Sequence, residues 1–421
     1  MGRTPDAEFD ALMSRGSLYP VFQPIVALDS GGIVGYEALI RGPSGSAFAT
    51  PDKLFKEGAR AGRLAELDWI CRAASCRAAL MAGLPNTVPL FLNAEPATFR
   101  TPPPAQLIDT FQTASEQLQV VVEITERALG SDPAGLLAAI LRLREAGMRI
   151  ALDDVGVDNS SLAMMPLISP DVIKIDRGVV QGRVTPQSSA VVNAVLAEAE
   201  RTGAAVLAEG IESPEHLAIA RSMGATLGQG WLFGRPEPLP HEFVPAVLNL
   251  PRVPAPELPG GTPYEVAARH RPPRHTTKSM LRCLSRHLEN KCLDLAEPAV
   301  LLAGFQHVRY FDDEARRRYR RLADGGVLTA VYATGMAPEP EGKVRGGPLS
   351  PGDPMEREWV VVVLGAHFAG GLFCCERIGE DDVDEENRAF DFVLTYDRPL
   401  VVAAAQPLLQ RLLPTEPETY W

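Results

Sequence analysis

The chain has 421 residues, a formal net charge of −12 and 46% hydrophobic residues, enough for two or three domains of ~100–200 residues with real cores. The acidic balance argues against a nucleic-acid binder held by phosphate neutralisation and leaves open a local anion site with its own cations. Six scattered cysteines (Cys71, Cys76, Cys283, Cys292, Cys374, Cys375), none in a CxxC spacing and with no signal peptide ahead of them, fit core or neutral positions in a reduced, cytoplasmic protein.

In chain order, residues 1–15 read as an N-terminal tail. From Tyr19 to about Phe233 short apolar runs alternate with longer helical stretches: YPVFQPIV, GYEALIR, VPLFLNA, VVVEITE, RIALDD, DVIKID, AVLAEGI and TLGQGWLF. Eight such strands with intervening helices predict a closed α/β barrel over residues 16–250. Seven prolines between Pro251 and Pro273 then keep the chain extended, a linker over residues 251–276. Residues 277–421 mix helix and strand signals and form a smaller α/β domain. Its most membrane-like run, Trp359 to Cys375, contains His367 and two adjacent glycines and falls short of ~20 apolar residues, so two buried strands joined by a turn are expected rather than a membrane span. The basic run Arg316, Arg317, Arg318, Arg320 and Arg321 follows Asp312, Asp313 and Glu314, and reads as a solvated helix face with local ion pairs.

Barrel enzymes place their chemistry at the C-terminal ends of the strands, and here those ends carry polar groups in series. They are Glu37, Asn93, Glu123 with Glu126, Asp153 with Asp154, Lys174 with Asp176, Glu209 with Glu212, and Gln229. Side chains alternate along a strand, so Asp153 and Asp154 converge on one site only if the strand ends there and the loop turns the second inward, as Val155-Gly156 allows. Any one of these acids could equally cap the helix that follows; the whole series is hard to explain that way. Carboxylates gathered at one mouth repel unless a cation sits among them. Residues 1–215 contain no histidine, which removes the usual zinc ligand set and the histidine base, and oxygen ligands favour a hard ion such as Mg²⁺ or Mn²⁺.

The motifs QPIV, GYEALIRG, FLNAEP, EITE, ALDDVG, VIKID, AEGIE and GQGWLFGRP, in this order, resemble the EAL domain family of cyclic di-GMP phosphodiesterases. The resemblance implies a modified triosephosphate-isomerase (TIM) (β/α)8 barrel and metal-dependent opening of cyclic di-GMP to linear pGpG. It implies metal ligation by Glu37, Asn93, Glu123, Asp153 and Asp154, with Glu209 and Gln229 completing the metal and water shell. It makes Glu37, Glu126, Glu209 and Lys174 catalytic, Lys174 orienting or deprotonating the attacking water and Glu126 anchoring the loop after Asp154. Gln23, Leu39, Arg41, Asp176 and Gln229 would contact substrate, Arg41 through a phosphate oxygen, with a surface ion pair as its alternative. The resemblance implies two metals per site; about 4 Å apart, they can share a bridging water and bind the attacked phosphate, which would explain the paired aspartates.

The loop departs from the family's usual DDFGTGYSSL: this chain reads DDVGVDNSSL, with Val155, Val157, Asp158 and Asn159 at the changed places. A catalytically weak module that binds cyclic di-GMP and signals through the second domain is therefore the alternative to a working enzyme. The C-terminal stretches LLAGFQHVRYF, YRRLAD and FDFVLTYDRPLV resemble the DICT domain, a sensory module found beside cyclic di-GMP enzymes, implying a small-molecule or protein signal. A proline-rich linker transmits little strain, so control must act through a domain contact or through pairing of two barrels; a homodimer is the expectation, with no nucleic-acid partner and no membrane segment.

Overall fold

The computed structural model describes residues 5–125, 132–157, 162–163, 165–243, 250, 253, 260–295, 298–325, 328–377 and 385–414. Eight strands close on themselves in sequence order: β1 (Tyr19–Ala27), β2 (Ile33–Arg41), β3 (Leu90–Ala94), β4 (Val120–Thr125), β5 (Arg149–Val155), β6 (Val172–Ile175), β7 (Ala205–Ala208) and β8 (Leu227–Gln229). β1 runs antiparallel to both its neighbours, and every other adjacent pair is parallel. This is a modified (β/α)8 barrel with its first strand reversed. Its interior is filled by Ile25, Val34, Phe91, Val121, Ala151, Val172, Leu207 and Leu227, mostly β-branched or bulky groups that suit a closed core.

Two stretches expected to lie outside the folded units carry structure. Pro5–Arg15 is a helix. It buries Phe9, Leu12 and Met13, at the i, i+3, i+4 spacing of one helical face, against Leu54 and Leu67. A single such triplet is too short a periodic signal to read in a sequence. Beyond the barrel, Leu250 plugs the interior core, and Arg149 holds its carbonyl at 2.7 Å. Asp171 accepts from the Val253 amide at 2.9 Å while Arg144 donates to the Val253 carbonyl at 2.7 Å. The exit segment is thus fastened at Leu250 and Val253 to the β5 and β6 side of the barrel. The helix Pro263–His270 starts at a reciprocal cap between Thr262 and Glu265, and β9 (Arg274–Thr277) joins the second sheet, so the second folded unit begins upstream of residue 277.

That second unit adds β10 (Val300–His307), β11 (Leu328–Thr334), β12 (Arg345–Leu349), β13 (Glu358–Leu364), β14 (Ala369–Glu376) and β15 (Ala389–Thr395), in the order β12-β11-β10-β13-β14-β15-β9. β13 and β14 are the two strands of the apolar run, paired antiparallel. Helices cover both faces. Leu281, Leu288, Tyr319 and Leu322 pack with Val361 and Val363 on one face, and Val266, Val401 and Leu408 with Val360 and Val362 on the other. In the basic run Arg318 pairs with Glu289 at 2.6 Å and Arg320 with Glu341 at 2.9 Å. No helix among the described residues is long and apolar enough to cross a membrane.

The two units touch directly. The helix Arg398–Leu409 is buried on nearly every side: it lies on the second sheet and also meets the short barrel helix Met165–Ile168. Charges flank this apolar contact, Arg398 close enough to feel Glu198 and Arg345 close enough to feel Asp132. Gln406 sits fully buried in this helix, and neither amide atom meets a hydrogen-bond partner among the described residues. Burying an unsatisfied amide costs roughly 1–3 kcal/mol, whereas an apolar group of similar shape carries no such cost. Gln406→Met is therefore expected to raise the unfolding free energy by about 1 kcal/mol in chemical denaturation; a loss of stability would show that the amide is satisfied in solution.

Candidate metal centre at the barrel mouth

The acids at the strand ends do converge, and they do so around one cation. Lys174, on the short buried strand β6, is fully buried. Its Nζ lies 2.6 Å from Glu123, 2.9 Å from Asp153, 2.8 Å from Glu209 and 3.8 Å from Glu37. At 2.6–2.9 Å the three short contacts combine charge pairing with hydrogen bonding, and together they hold the ammonium there. Parallel strands in closed register explain the convergence: Asn93 pairs with Glu123 and Thr125 with Asp153 across adjacent strands, which brings the ends to one level.

Glu37 is fixed from two sides. Asn93 donates to its Oε1 at 3.0 Å, and Gln229 donates to its Oε2 at 2.6 Å. Gln229 also donates to Gln23 at 3.1 Å, and Gln23 donates to the Gly234 carbonyl at 3.3 Å. Burial opposes ionisation of Glu37, but the Lys174 ammonium and these two amides outweigh it and hold the carboxyl below its usual range. Glu123, fully buried, is raised well above that range by burial and by the neighbouring Glu37 charge. Burial also raises Glu209, to about 8. For Lys174 burial works against the charged form, yet Asp153, Glu123, Glu209 and Glu37 together keep it protonated well above an ordinary lysine.

The paired aspartates are resolved by the backbone itself. Asp154 adopts φ 57, the left-handed region, and the register of β5 against β6 shifts between Leu152 and Val155. The reversal thus falls on Asp154, one residue before the Val155-Gly156 turn expected from the sequence. A residue type tolerant of this region makes the break, and it cancels the alternation that would send neighbouring side chains to opposite faces. Gly156 follows at φ 110, where an added Cβ would lie 2.5 Å from Val179. The outcome is that Asp153, Asp154 and Glu209 each offer a ligand atom within 4.8 Å of one another.

These donors fit a divalent cation. Oε1 of Gln229 is buried without a hydrogen-bond partner among the described residues, and the buried Glu123 and Asp153 carboxylates share the Lys174 ammonium with Glu209. An all-oxygen set of carboxylates and amide carbonyls is that of a hard ion. Of the other expected site residues, Leu39 is half-buried on β2 two residues from Glu37, and Arg41 stands beyond it with Nη1 donating to the Ile40 carbonyl at 2.8 Å. Asp176 does not enter the cluster's ion pairs; it caps the helix Arg177–Gln181, accepting from the Gly178 amide at 2.7 Å. Glu126 and the altered loop at Asp158 to Ser161 lie outside the described residues.

A family model for the EAL domain matches residues 6–236, and one described as "Sensory domain in DIguanylate Cyclases and Two-component system" matches residues 264–377. The cyclic di-GMP phosphodiesterase RocR of Pseudomonas aeruginosa is 33% identical over 235 residues, covering 54% of this chain and 60% of RocR. NbdA of the same organism, also named a cyclic di-GMP phosphodiesterase, is 31% identical over 228 residues, 52% of this chain and 29% of NbdA. The chain thus spans less than two thirds of these relatives' lengths. Among solved structures, Klebsiella pneumoniae BlrP1 in a manganese and cyclic di-GMP complex aligns with a TM-score of 0.47 and 30% identity, over 52% of this chain and 56% of that one.

Removing the central cation tests the electrostatics directly. Lys174→Met leaves buried carboxylates uncompensated, a change that typically costs about 3–5 kcal/mol. Denaturant unfolding in chelator should show a loss of this order at pH 8. The loss should shrink toward pH 5, because protonating the carboxyls removes the uncompensated charge. Stability independent of this substitution at pH 8 would show that the acids do not depend on Lys174.

Proposed function

Because the chain belongs to the EAL domain family, we propose that it is a phosphodiesterase that opens cyclic di-GMP to linear pGpG with Mg²⁺ or Mn²⁺, two ions per site. The observation that carries this reading is the convergence of Glu37, Glu123, Asp153 and Glu209 on Lys174, with Asp154 turned toward the same point. Glu37, Asn93, Glu123, Asp153, Asp154, Glu209 and Gln229 would hold the ions. When bound, divalent ions would lower the pKa of water and neutralise charge on the attacked phosphate.

The chain's own groups do the rest. Asn93 and Gln229 fix the Glu37 carboxylate so that it cannot swing to solvent. Lys174 keeps its proton and orients a water through an N–H while balancing the surrounding acids. Arg41, whose Nη1 donates to the Ile40 carbonyl, would present its planar fork to a phosphate oxygen. Gln23 and Leu39 line the approach, and Glu126 would anchor the loop after Asp154. Residues 264–377 would sense a signal, and the helix Arg398–Leu409, seated on Met165–Ile168, offers a direct route from that unit to the segment following Asp154. A homodimer would supplement this contact.

Purified protein incubated with cyclic di-GMP and Mn²⁺ is expected to release pGpG, resolved by nucleotide chromatography, and to release none in excess chelator. Glu37→Ala should lower turnover at least 100-fold, since no neighbour can replace that carboxylate. Tight cyclic di-GMP binding with no product under any divalent ion would reject the enzyme and leave the receptor reading.

A further inference from the structure

Cyclic di-GMP presents two guanine bases as well as two phosphates, and the groups assigned above address phosphate and water. Resting on that functional reading, we propose that Tyr19 is a base-binding residue, whose ring forms a shelf at the barrel rim against which one guanine stacks. Ile25 points into the barrel interior, so by two-residue alternation Gln23, Val21 and Tyr19 face inward above it. The Gln23 amide bears this out by receiving the Gln229 hydrogen bond.

The partner strand repeats the pattern. Gln23 stands opposite Glu37, Val21 opposite Leu39 and Tyr19 opposite Arg41, and the one irregularity in this ladder falls below, between Ile25 and Val26. The mouth wall therefore rises from the carboxylate level, through an apolar step of Val21 and Leu39, to an aromatic ring beside a guanidinium. Four residues of strand place Tyr19 about 13 Å above Gln23, and its Cβ within ~5.5 Å of the Arg41 Cβ.

Tyr19 is 43% exposed. Among the described residues its side chain makes no hydrogen bond, ring contact or cation contact. A large aromatic left bare on the inward side of a site mouth, next to an arginine suited to phosphate, is the arrangement by which nucleotide-binding surfaces hold a base. Trp231 is the competing rim aromatic. It is 54% exposed and follows Gln229 by two residues, but one face of its ring already carries Arg235 at 4.1 Å.

Kinetics of the full chain with Mn²⁺ and cyclic di-GMP decide the matter, together with calorimetric Kd values for the same nucleotide. Tyr19→Ala should raise KM and Kd roughly 5- to 150-fold, the range spanned by loss of one base–aromatic stack, with kcat within twofold. Tyr19→Phe should keep wild-type values, because stacking needs the ring and not the hydroxyl. Unchanged KM in an active Tyr19→Ala enzyme overturns the assignment, as does a larger KM rise in Trp231→Ala. A wild-type chain that binds cyclic di-GMP without turning it over rejects the enzyme reading but leaves the Kd comparison to judge the shelf. Failure to bind the nucleotide at all rejects both.

Discussion

One ammonium among four carboxylates organises the barrel mouth. Separated acids at this depth would each be driven toward the neutral form by desolvation, and adjacent ones would also repel. Lys174 offsets both effects: it keeps Glu37 ionised against burial and eases the seating of Glu123, with no exposed surface, beside it, while burial still holds Glu123 and Glu209 above the usual carboxylate range. A group of oxygen donors can thus be assembled at the strand ends before any ion arrives. Much of the local structure serves to hold that assembly still. Asn93 and Gln229 clamp Glu37, Gln23 ties Gln229 across β1, and Asp154 bends β5 so that two successive acids share a destination.

Placing the lysine on β6 and the acids on β2, β4, β5 and β7 makes the site a property of barrel closure rather than of any one loop. A strand shifted by one residue would turn its functional group outward. The inward parity that places Gln23 and Glu37 opposite one another also places Tyr19 and Arg41 opposite one another at the rim. Outside the barrel, the helix Arg398–Leu409 joins the second unit to Met165–Ile168, the first α-helix described after the paired aspartates. The linker's stiffness matters less in this arrangement, because the two units are already in contact. The expected choice between domain contact and barrel pairing thus acquires a concrete contact.

The barrel was legible because its strands are short, apolar and evenly punctuated, and the acids because each falls at a strand end. The sequence also showed that Asp153 and Asp154 require a backbone break, but placed it one step late, since φ 57 on a non-glycine residue leaves no compositional trace. The role of Lys174 as common counter-charge could not be read at all: it depends on five strands closing, and no pair of these residues is near in sequence. The same holds for the helix at Pro5–Arg15, whose single apolar triplet has meaning only against Leu54 and Leu67. Asp176, read as a substrate contact through family resemblance, shows the local alternative, a helix cap accepting from Gly178. Prolines misled in the other direction: Pro263 opens a capped helix rather than continuing an extended linker.

The central claim is that the mouth is a preassembled divalent-cation site. Diffraction from crystals grown with Mn²⁺, collected at a wavelength where manganese scatters anomalously, locates the ion without reference to activity. The account predicts anomalous density within coordination distance of Asp153, Asp154 and Glu209, with the Glu37 and Glu123 carboxylates turned toward it and Asp154 still in its left-handed conformation. Saturating Mn²⁺ with no anomalous density among these residues, and Lys174 alone between the carboxylates, would contradict it.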